Sequence, residues 1–473
     1  MTGAVIYRAV LCGLATNGYL ELMIDRAELA RLTQVELDRF AATHPLSREL
    51  FAEAQRSLIG GVPMPWMMMW AGGFPPYVAR AHGAGLTDVD GCDYVDLCLA
   101  DTGAMTGHGP PVVLAAIREQ CERGITTMLP TEDSIAVAEE LGRRFGVSRW
   151  LFTLSATDAN RSALRIARQV TGRGKVLVFS YCYHGSVDEA FAVRAPDGST
   201  VARAGNVGPP VDPALTTVVA EFNDVPGLEA ALADRSVACV LAEPAMTNMG
   251  IILPDEGYHQ ALREITRDTG TLLIIDETHT LSAGPGGCTA AWGLDPDLVT
   301  VGKAIGSGIA SGALGLSEET YAAMLAQPEA DYEDTGGIGG TLAGNALSLA
   351  AMQATLTHVL TADAYARTIP LASRFTEGVR EVISAAGLGW HVTQLGCRAE
   401  YRFQPAPPRN GTQANAASDA ELERYFHLHA MNRGVLITPF HNMALMSPVT
   451  RQADVDRHTE VFAEAVRDLL GQG

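Results

Sequence analysis

The chain has 473 residues, more than one hydrophobic core usually organises, so two or three packed units are expected. Apolar residues make up 47% and charged residues 19%, a globular composition that excludes a disordered or collagen-like chain. The net charge of −20 disfavours nucleic acid and anionic membrane surfaces as partners, and no stretch approaches the roughly 20 uninterrupted apolar residues of a spanning helix.

Residues 1–22 hold one short apolar run, Ala9 to Ala15, behind Arg8. It has the minimum length of a signal core and no convincing cleavage site, so an extension ahead of the folded part is expected, with Met23 a candidate start. From Asp25 to Thr43 the apolar positions recur at helical spacing, and His44-Pro45 ends the run. GGVPMPWMMMWAGGFPPY follows and matches neither period. Gly85 to Gly91 and YVDLCLA predict a hairpin with an Asp-Gly turn.

From about residue 110, amphipathic helices alternate with short apolar strands: WLFTLS, KVLVFS, TTVVAEF, ACVLAEP, TLLIIDE, LVTVGKA and GALGLS. That alternation predicts crossover units and a mostly parallel sheet in an α/β fold. A long helix-forming run follows Ala343, and residues 365–473 mix helices with the strands WHVTQL, RAEYRF and VLITP, the pattern of a smaller α+β unit. The expected layout is an extension (1–22), a helix-and-hairpin segment belonging to the small domain (23–95), a large domain (96–345), and a linking helix with the rest of the small domain (346–473).

The eight cysteines, Cys12, Cys92, Cys98, Cys121, Cys182, Cys239, Cys288 and Cys397, include no C-x-x-C pair. Zinc and dithiol spacing are absent, no metal site is predicted, and reduced thiols in a cytoplasmic protein are expected. Of 34 cationic residues only Lys175 and Lys303 are lysines. A lysine kept in a chain that otherwise uses arginine points to a position where a primary amine is needed.

Ligands of open parallel sheets sit at the carboxyl ends of strands. After WLFTLS, Ser155-Ala156-Thr157 opens a helix, where free N–H groups and hydroxyls suit a phosphate as well as a plain cap. Asp276 ends the most apolar strand and requires a cationic partner, either a ligand or a salt-bridging side chain. Lys303 follows LVTVG among apolar and glycine residues, an environment for a nucleophilic amine as well as for a solvated strand-end charge. Lys175 reads as an ordinary strand-entry charge. Taken together, an amine for a Schiff base, an aspartate for a pyridinium nitrogen, a helix N-terminus for a phosphate and an aromatic such as Tyr183 to stack on the ring describe a pyridoxal phosphate site.

From about residue 50 to the end the sequence resembles the class III, fold-type I aminotransferases, nearest the glutamate-1-semialdehyde aminomutase-like subgroup. The motifs that carry the resemblance are TDVDGCDYVDL, GHGPPVV, SATDAN, YHG, FNDV, EPAMTNMG, LLIIDET, DLVTVGKAIGSG and GGTLAGN, in the expected order. The resemblance implies a seven-stranded, mostly parallel sheet with a smaller α+β domain built from both termini. It implies that Lys303 carries the Schiff base and moves the proton, and that Asp276 pairs with the ring nitrogen. Tyr183 and Thr278 would flank the ring, Glu243 would lie near it, and Ser155, Ala156 and Thr157 would hold the phosphate. Thr341 would reach that phosphate from a neighbouring subunit, making a homodimer with shared active sites.

Three departures from the family pattern are visible. Ser155 to Ala159 replaces S-G-T-E-A, and Gly344-Asn345-Ala346 replaces G-N-P. The arginines that amino-acid-specific members place near the N-terminal glycine pair and the C-terminal Thr-Pro are missing. A pocket of Met64, Trp66, Phe440 and His441 is therefore expected to favour an amine with an apolar or hydroxylated body, as in amine-accepting members such as fumonisin aminotransferase; the alternative for the WMMMW run is core or dimer interface. Arg398 or Arg402 remains a candidate carboxylate contact. The expected activity is ping-pong transfer from an amine or hydrophobic amino acid to a 2-oxo acid such as pyruvate. The alternatives are an aminomutase or racemase on the same scaffold, or a non-catalytic cofactor-binding protein. A Rossmann dehydrogenase is disfavoured, because no strand is followed by G-x-G-x-x-G.

Overall fold

The computed structural model describes residues 24–327 and 335–472; the extension expected over 1–22 lies outside them. Helix α1 (Arg26–Thr43) starts where the Asp25 carboxylate accepts the N–H groups of Ala27 and Glu28. It stops before Pro45, which opens α2 (Pro45–Ala54) because the first helical position needs no donor. The Gly/Pro/Met stretch forms two short 3₁₀ turns, Ile59–Gly61 and Pro65–Met69, rather than irregular chain throughout.

A meander follows, of β1 (Val78–His82), β2 (Gly85–Asp88) and β3 (Asp93–Asp96), with antiparallel register Leu86 to Tyr94 and Thr87 to Asp93. Gly91 takes φ 85° in the predicted turn. Strand β1, which the pattern did not announce, is exposed along its whole length and so lacks the alternation that marks a half-buried strand.

The sheet that carries the site begins after α3 (Asp133–Phe145). Its elements are β4 (Arg149–Thr153), α4 (Ala156–Thr171), β5 (Lys175–Phe179), β8 (Thr217–Ala220), β9 (Val237–Ala242), α5 (Tyr258–Thr269), β10 (Leu272–Asp276), β11 (Leu298–Gly302) and β12 (Gly312–Leu316), with a small hairpin of β6 (Ala192–Arg194) and β7 (Thr200–Ala202) inserted after β5. The order is β4-β12-β11-β10-β9-β5-β8, parallel except that β12 runs against both neighbours. Every residue of β9, β11 and β12 is buried, as continuous apolar strands covered on both faces must be.

The chain then runs through α6 (Ala346–His358) and α7 (Ala362–Ala385) into β13 (His391–Leu395), β14 (Arg398–Arg402), α8 (Ala420–Met431), β15 (Val435–Leu436), β16 (Met443–Leu445) and α9 (Gln452–Leu469). Strand β15 pairs in parallel with β3, so both ends of the chain build one four-stranded sheet, β1-β2-β3-β15. Strands β13, β14 and β16 form a second small sheet. The three residues of β16 are too few to show a period. No described helix is long and apolar enough to cross a membrane.

Candidate active site

The parallel strands β4, β5, β9, β10 and β11 end on one side of the sheet, and the residues after them line a cavity of about 280 Å³. Its walls include Ser155, Ala156 and Thr157 at the start of α4, Tyr183 and His184 after β5, Glu243 after β9, Asp276 at the end of β10 with Thr278 and His279 beyond it, and Lys303 after β11. Eight of the residues expected to hold the cofactor (Ser155, Ala156, Thr157, Tyr183, Glu243, Asp276, Thr278 and Lys303) thus meet at one place. The ninth, Thr341, does not: it lies exposed in a separate surface cleft with Thr126, Met128, Leu129 and Asn345.

Asp276 is held rigidly. Its Oδ2 accepts from Asn160 Nδ2 at 2.8 Å and from His184 Nδ1 at 2.9 Å, and its Oδ1 accepts the Thr278 N–H at 3.0 Å. Burial alone would raise the carboxyl, but the hydrogen bond and positive charge of His184 hold it down at about 2. It is an anion at any ordinary pH.

At α4 the Ser155 hydroxyl is engaged in its own cap, accepting the Asp158 N–H and donating to Asp158 Oδ2 at 2.9 Å. Of the two hydroxyls expected to face a phosphate, that of Ser155 thus serves the alternative role of a plain cap. Thr157 Oγ1 accepts the Ser186 N–H at 3.2 Å and keeps its own proton to donate, beside the free N–H groups of the first turn. Gly185 makes the close approach possible, since a Cβ there would lie 1.9 Å from Thr157 Oγ1.

Lys303 adopts φ 51°, a left-handed backbone that a lysine enters only at a cost of about 1 kcal/mol or more. Its Nζ donates to Asp101 Oδ2 at 2.7 Å and contacts His279 Nε2. Asp101 reaches it from four consecutive left-handed residues, Leu99 to Thr102, with φ between 46° and 84°. Burial would raise the Asp101 carboxyl, but the charge and hydrogen bond of Lys303, with the Arg398 charge, hold it well below the usual carboxylate range. Sequence reading assigned no role to Asp101, His184 or His279; the two histidines stand in YHG and directly after LLIIDET, whereas nothing local marks the turn that presents Asp101.

Among the expected pocket residues, the Trp66 ring packs edge-on against Tyr183 at 5.5 Å and Phe440 at 4.6 Å, and Phe440 meets His441 at 5.0 Å. Met64 sits beside them, its sulfur accepting the Trp66 N–H at 3.2 Å. Trp66, Phe440 and His441, with Met64 alongside, form an aromatic wall joined to the cavity through Tyr183. Arg402 is spent on backbone, donating to Met249 O and Ala414 O at 2.8 Å each. Arg398 is fully buried, with its guanidinium on Thr102 Oγ1 and on Met443 Sδ at 2.9 Å. Neither arginine lines the cavity.

The residues fit pyridoxal phosphate on the structure's own terms. An anchored carboxylate suits a protonated ring nitrogen, a helix N-terminus opened by Gly185 suits a phosphate, and an amine stands between them on the same cavity. The buried Thr278 Oγ1 and His184 Nε2 on the cavity wall have no hydrogen-bond partner, as polar atoms awaiting a ligand do. Fold and site together define a fold-type I pyridoxal phosphate enzyme.

Comparison with known proteins agrees. The family model for class III aminotransferases matches residues 69–466. Glutamate-1-semialdehyde 2,1-aminomutase of Anaeromyxobacter sp. is 33% identical over 432 residues, covering 89% of this chain and 99% of that protein. The enzyme of the same name from Desulforudis audaxviator is 35% identical over 431 residues, covering 90% and 98%. Among solved structures, a glutamate-1-semialdehyde aminomutase from Pseudomonas aeruginosa superposes with TM-score 0.93 at 47% identity, covering 94% of this chain and all of that one, and a variant of it was solved in complex with PMP. An omega-transaminase from Sphaerobacter thermophilus follows with TM-score 0.81 at 32% identity over 89% and 97%. This chain belongs to the class III aminotransferase family, whose members use pyridoxal phosphate.

Proposed function

We propose that this chain exchanges an amine and a carbonyl carried by one small molecule, the intramolecular transfer for which its aminomutase relatives are named. The expectation of an amine donor and a separate 2-oxo acid acceptor becomes the second reading. The observation that carries the proposal is the Asp101 carboxylate, 2.7 Å from Lys303 Nζ. A molecule that trades its amine and carbonyl passes through a diamine, and Asp101, one contact behind the Lys303 amine, adds fixed negative charge that favours an ammonium held there. The described residues lining the cavity include no arginine, so the substrate body is uncharged or held by groups from a second copy of the chain.

Lys303 Nζ moves the proton at each reacting carbon in turn, removing it from the carbon that loses the amine and, in a separate step, delivering one to the carbon that gains it, with Asp101 and His279 on either side. Asp276 holds the ring nitrogen protonated. The first turn of α4 and Thr157 bind the phosphate, while Tyr183 and Thr278 flank the ring. Trp66 and Phe440 exclude water on the Tyr183 side. Pyridoxal phosphate supplies the carbonyl that accepts the amine and the electron-withdrawing ring that makes the adjoining C–H acidic. Homodimerisation, with Thr341 reaching the phosphate of the partner's site, is part of the proposal.

The deciding experiment incubates the holoenzyme with glutamate-1-semialdehyde and, in parallel, with an uncharged 2-amino ketone, in the absence of any 2-oxo acid. Formation of the positional isomer, read by NMR, is expected. Conversion only with stoichiometric formation of alanine from added pyruvate would overturn it. That outcome would establish the second reading, which the aromatic wall favours; 1-phenylethylamine would then be deaminated faster than β-phenylalanine.

A further inference from the structure

Behind Lys303 the side chains form an unbroken line. His279 Nε2 meets Lys303 Nζ, His279 Nδ1 lies 2.7 Å from Thr247 Oγ1, and the Thr247 hydroxyl donates to Glu243 Oε1 at 2.5 Å. The Thr247 N–H donates to the other Glu243 oxygen at 3.1 Å, which fixes the carboxylate. Polarity sets the direction of every bond. The Thr247 proton is committed to Glu243, so its oxygen accepts from His279 Nδ1–H, and His279 Nε2 is left as an acceptor facing the lysine.

We propose that His279 and Thr247 relay protons between the Lys303 amine and Glu243, so that His279 is a catalytic residue and Glu243 the terminal proton store of the site. The step balances as a shift along the line. A Lys303 N–H proton passes to His279 Nε2, the Nδ1 proton to Thr247 Oγ1, and the hydroxyl proton to Glu243 Oε1. One X–H bond breaks and one forms at each link, leaving a neutral amine and a protonated carboxyl, and no electrons change hands. The reverse shift recharges the lysine. The step is common to both functional readings, so it stands or falls apart from the choice between them.

The surroundings suit both ends. Glu243 faces Thr247, His184, Asp276 and, at 3.9 Å, His279; burial, opposed by His184 and the Thr247 bonds, pushes it up to about 7. A proton store poised near neutrality both takes and returns a proton. His279 faces Lys303, Asp101, Arg398 and Asp276; burial and then the Lys303 charge hold its pKa well below the ordinary value, so the ring passes protons without holding one.

The test follows Lys303 itself rather than turnover. The cofactor-free full chain is mixed with pyridoxal phosphate, and the rate of appearance of the visible Schiff-base band is recorded against pH. The wild-type rate is expected to rise through an inflection near pH 7, where Glu243 becomes able to accept. Glu243→Gln and His279→Phe should remove that inflection and slow capture above it by roughly 10- to 100-fold. Thr247→Val should do the same, and Thr247→Ser, which keeps the hydroxyl, should restore it. Retention of the inflection in Thr247→Val or in Glu243→Gln overturns the relay. So does equal loss in Thr247→Ser and Thr247→Val, since the side-chain oxygen would then be irrelevant.

Discussion

Glu400 shows what burial does to a carboxylate whose ion partners stand too far off to bond. It lies on β14 between Arg398 and Arg402, is almost fully buried, and neither carboxylate oxygen accepts a side-chain hydrogen bond. Arg402 and His441 stand 3.9 and 3.7 Å away, too far to bond. Burial, opposed by the Arg402 charge, raises its pKa to about 7. The folded value exceeds the unfolded one, so the stabilisation this group lends is complete below about pH 4 and disappears as pH rises through 7. The shift corresponds to about 3 kcal/mol at most. Glu400→Gln should therefore melt higher than wild type at pH 8 and the same at pH 4, measured on the holoenzyme by thermal denaturation. A variant that melts lower at pH 8 would mean that the ionised carboxylate is paired.

At the scale of elements, the site depends on close approach of the loop after β5 to the start of α4. Gly185 sits there at φ 77°, with the space of a Cβ already taken by the Thr157 hydroxyl. Gly185→Ala would both strain the backbone and drive Thr157 out of the first turn of α4. A cost of about 1–3 kcal/mol is expected, concentrated in cofactor affinity: roughly 5- to 150-fold weaker pyridoxal phosphate binding by equilibrium dialysis, with the cofactor-free chain melting within a few degrees of wild type. Equal loss of stability without loss of affinity would place the contact in folding alone.

The same elements show why part of the site was legible in the sequence. Asp276, Lys303 and the Ser155 turn each follow an apolar strand directly, so local pattern alone predicts that they share the sheet's carboxyl edge, and they do. Asp101 is different. It belongs to a left-handed turn whose Thr102 is tethered by Arg398, almost 300 positions later in the chain, and no local period encodes that tether. The same holds for the aromatic wall, where the resemblance, not the spacing, paired Trp66 with Phe440.

Seen as a whole, the molecule places eight of the nine expected cofactor residues on one cavity and leaves Thr341 outside it, in an exposed cleft. A residue meant for a cofactor yet stranded on the surface is explained if a second copy of the chain brings it to the partner's cavity, as a two-fold dimer allows. The arrangement makes a sharp prediction for mixed subunits. Thr341→Ala and Lys303→Ala chains are each expected to be nearly inactive as homodimers. In a heterodimer the site built on the intact Lys303 receives Thr341 from the Lys303→Ala chain and is complete, while the other site lacks both residues. Unfolding and refolding an equal mixture should restore about a quarter of wild-type activity, because half the dimers are mixed and each carries one whole site. If Thr341 served the cavity of its own chain, the intact lysine would lack its threonine in every dimer and mixing would restore nothing.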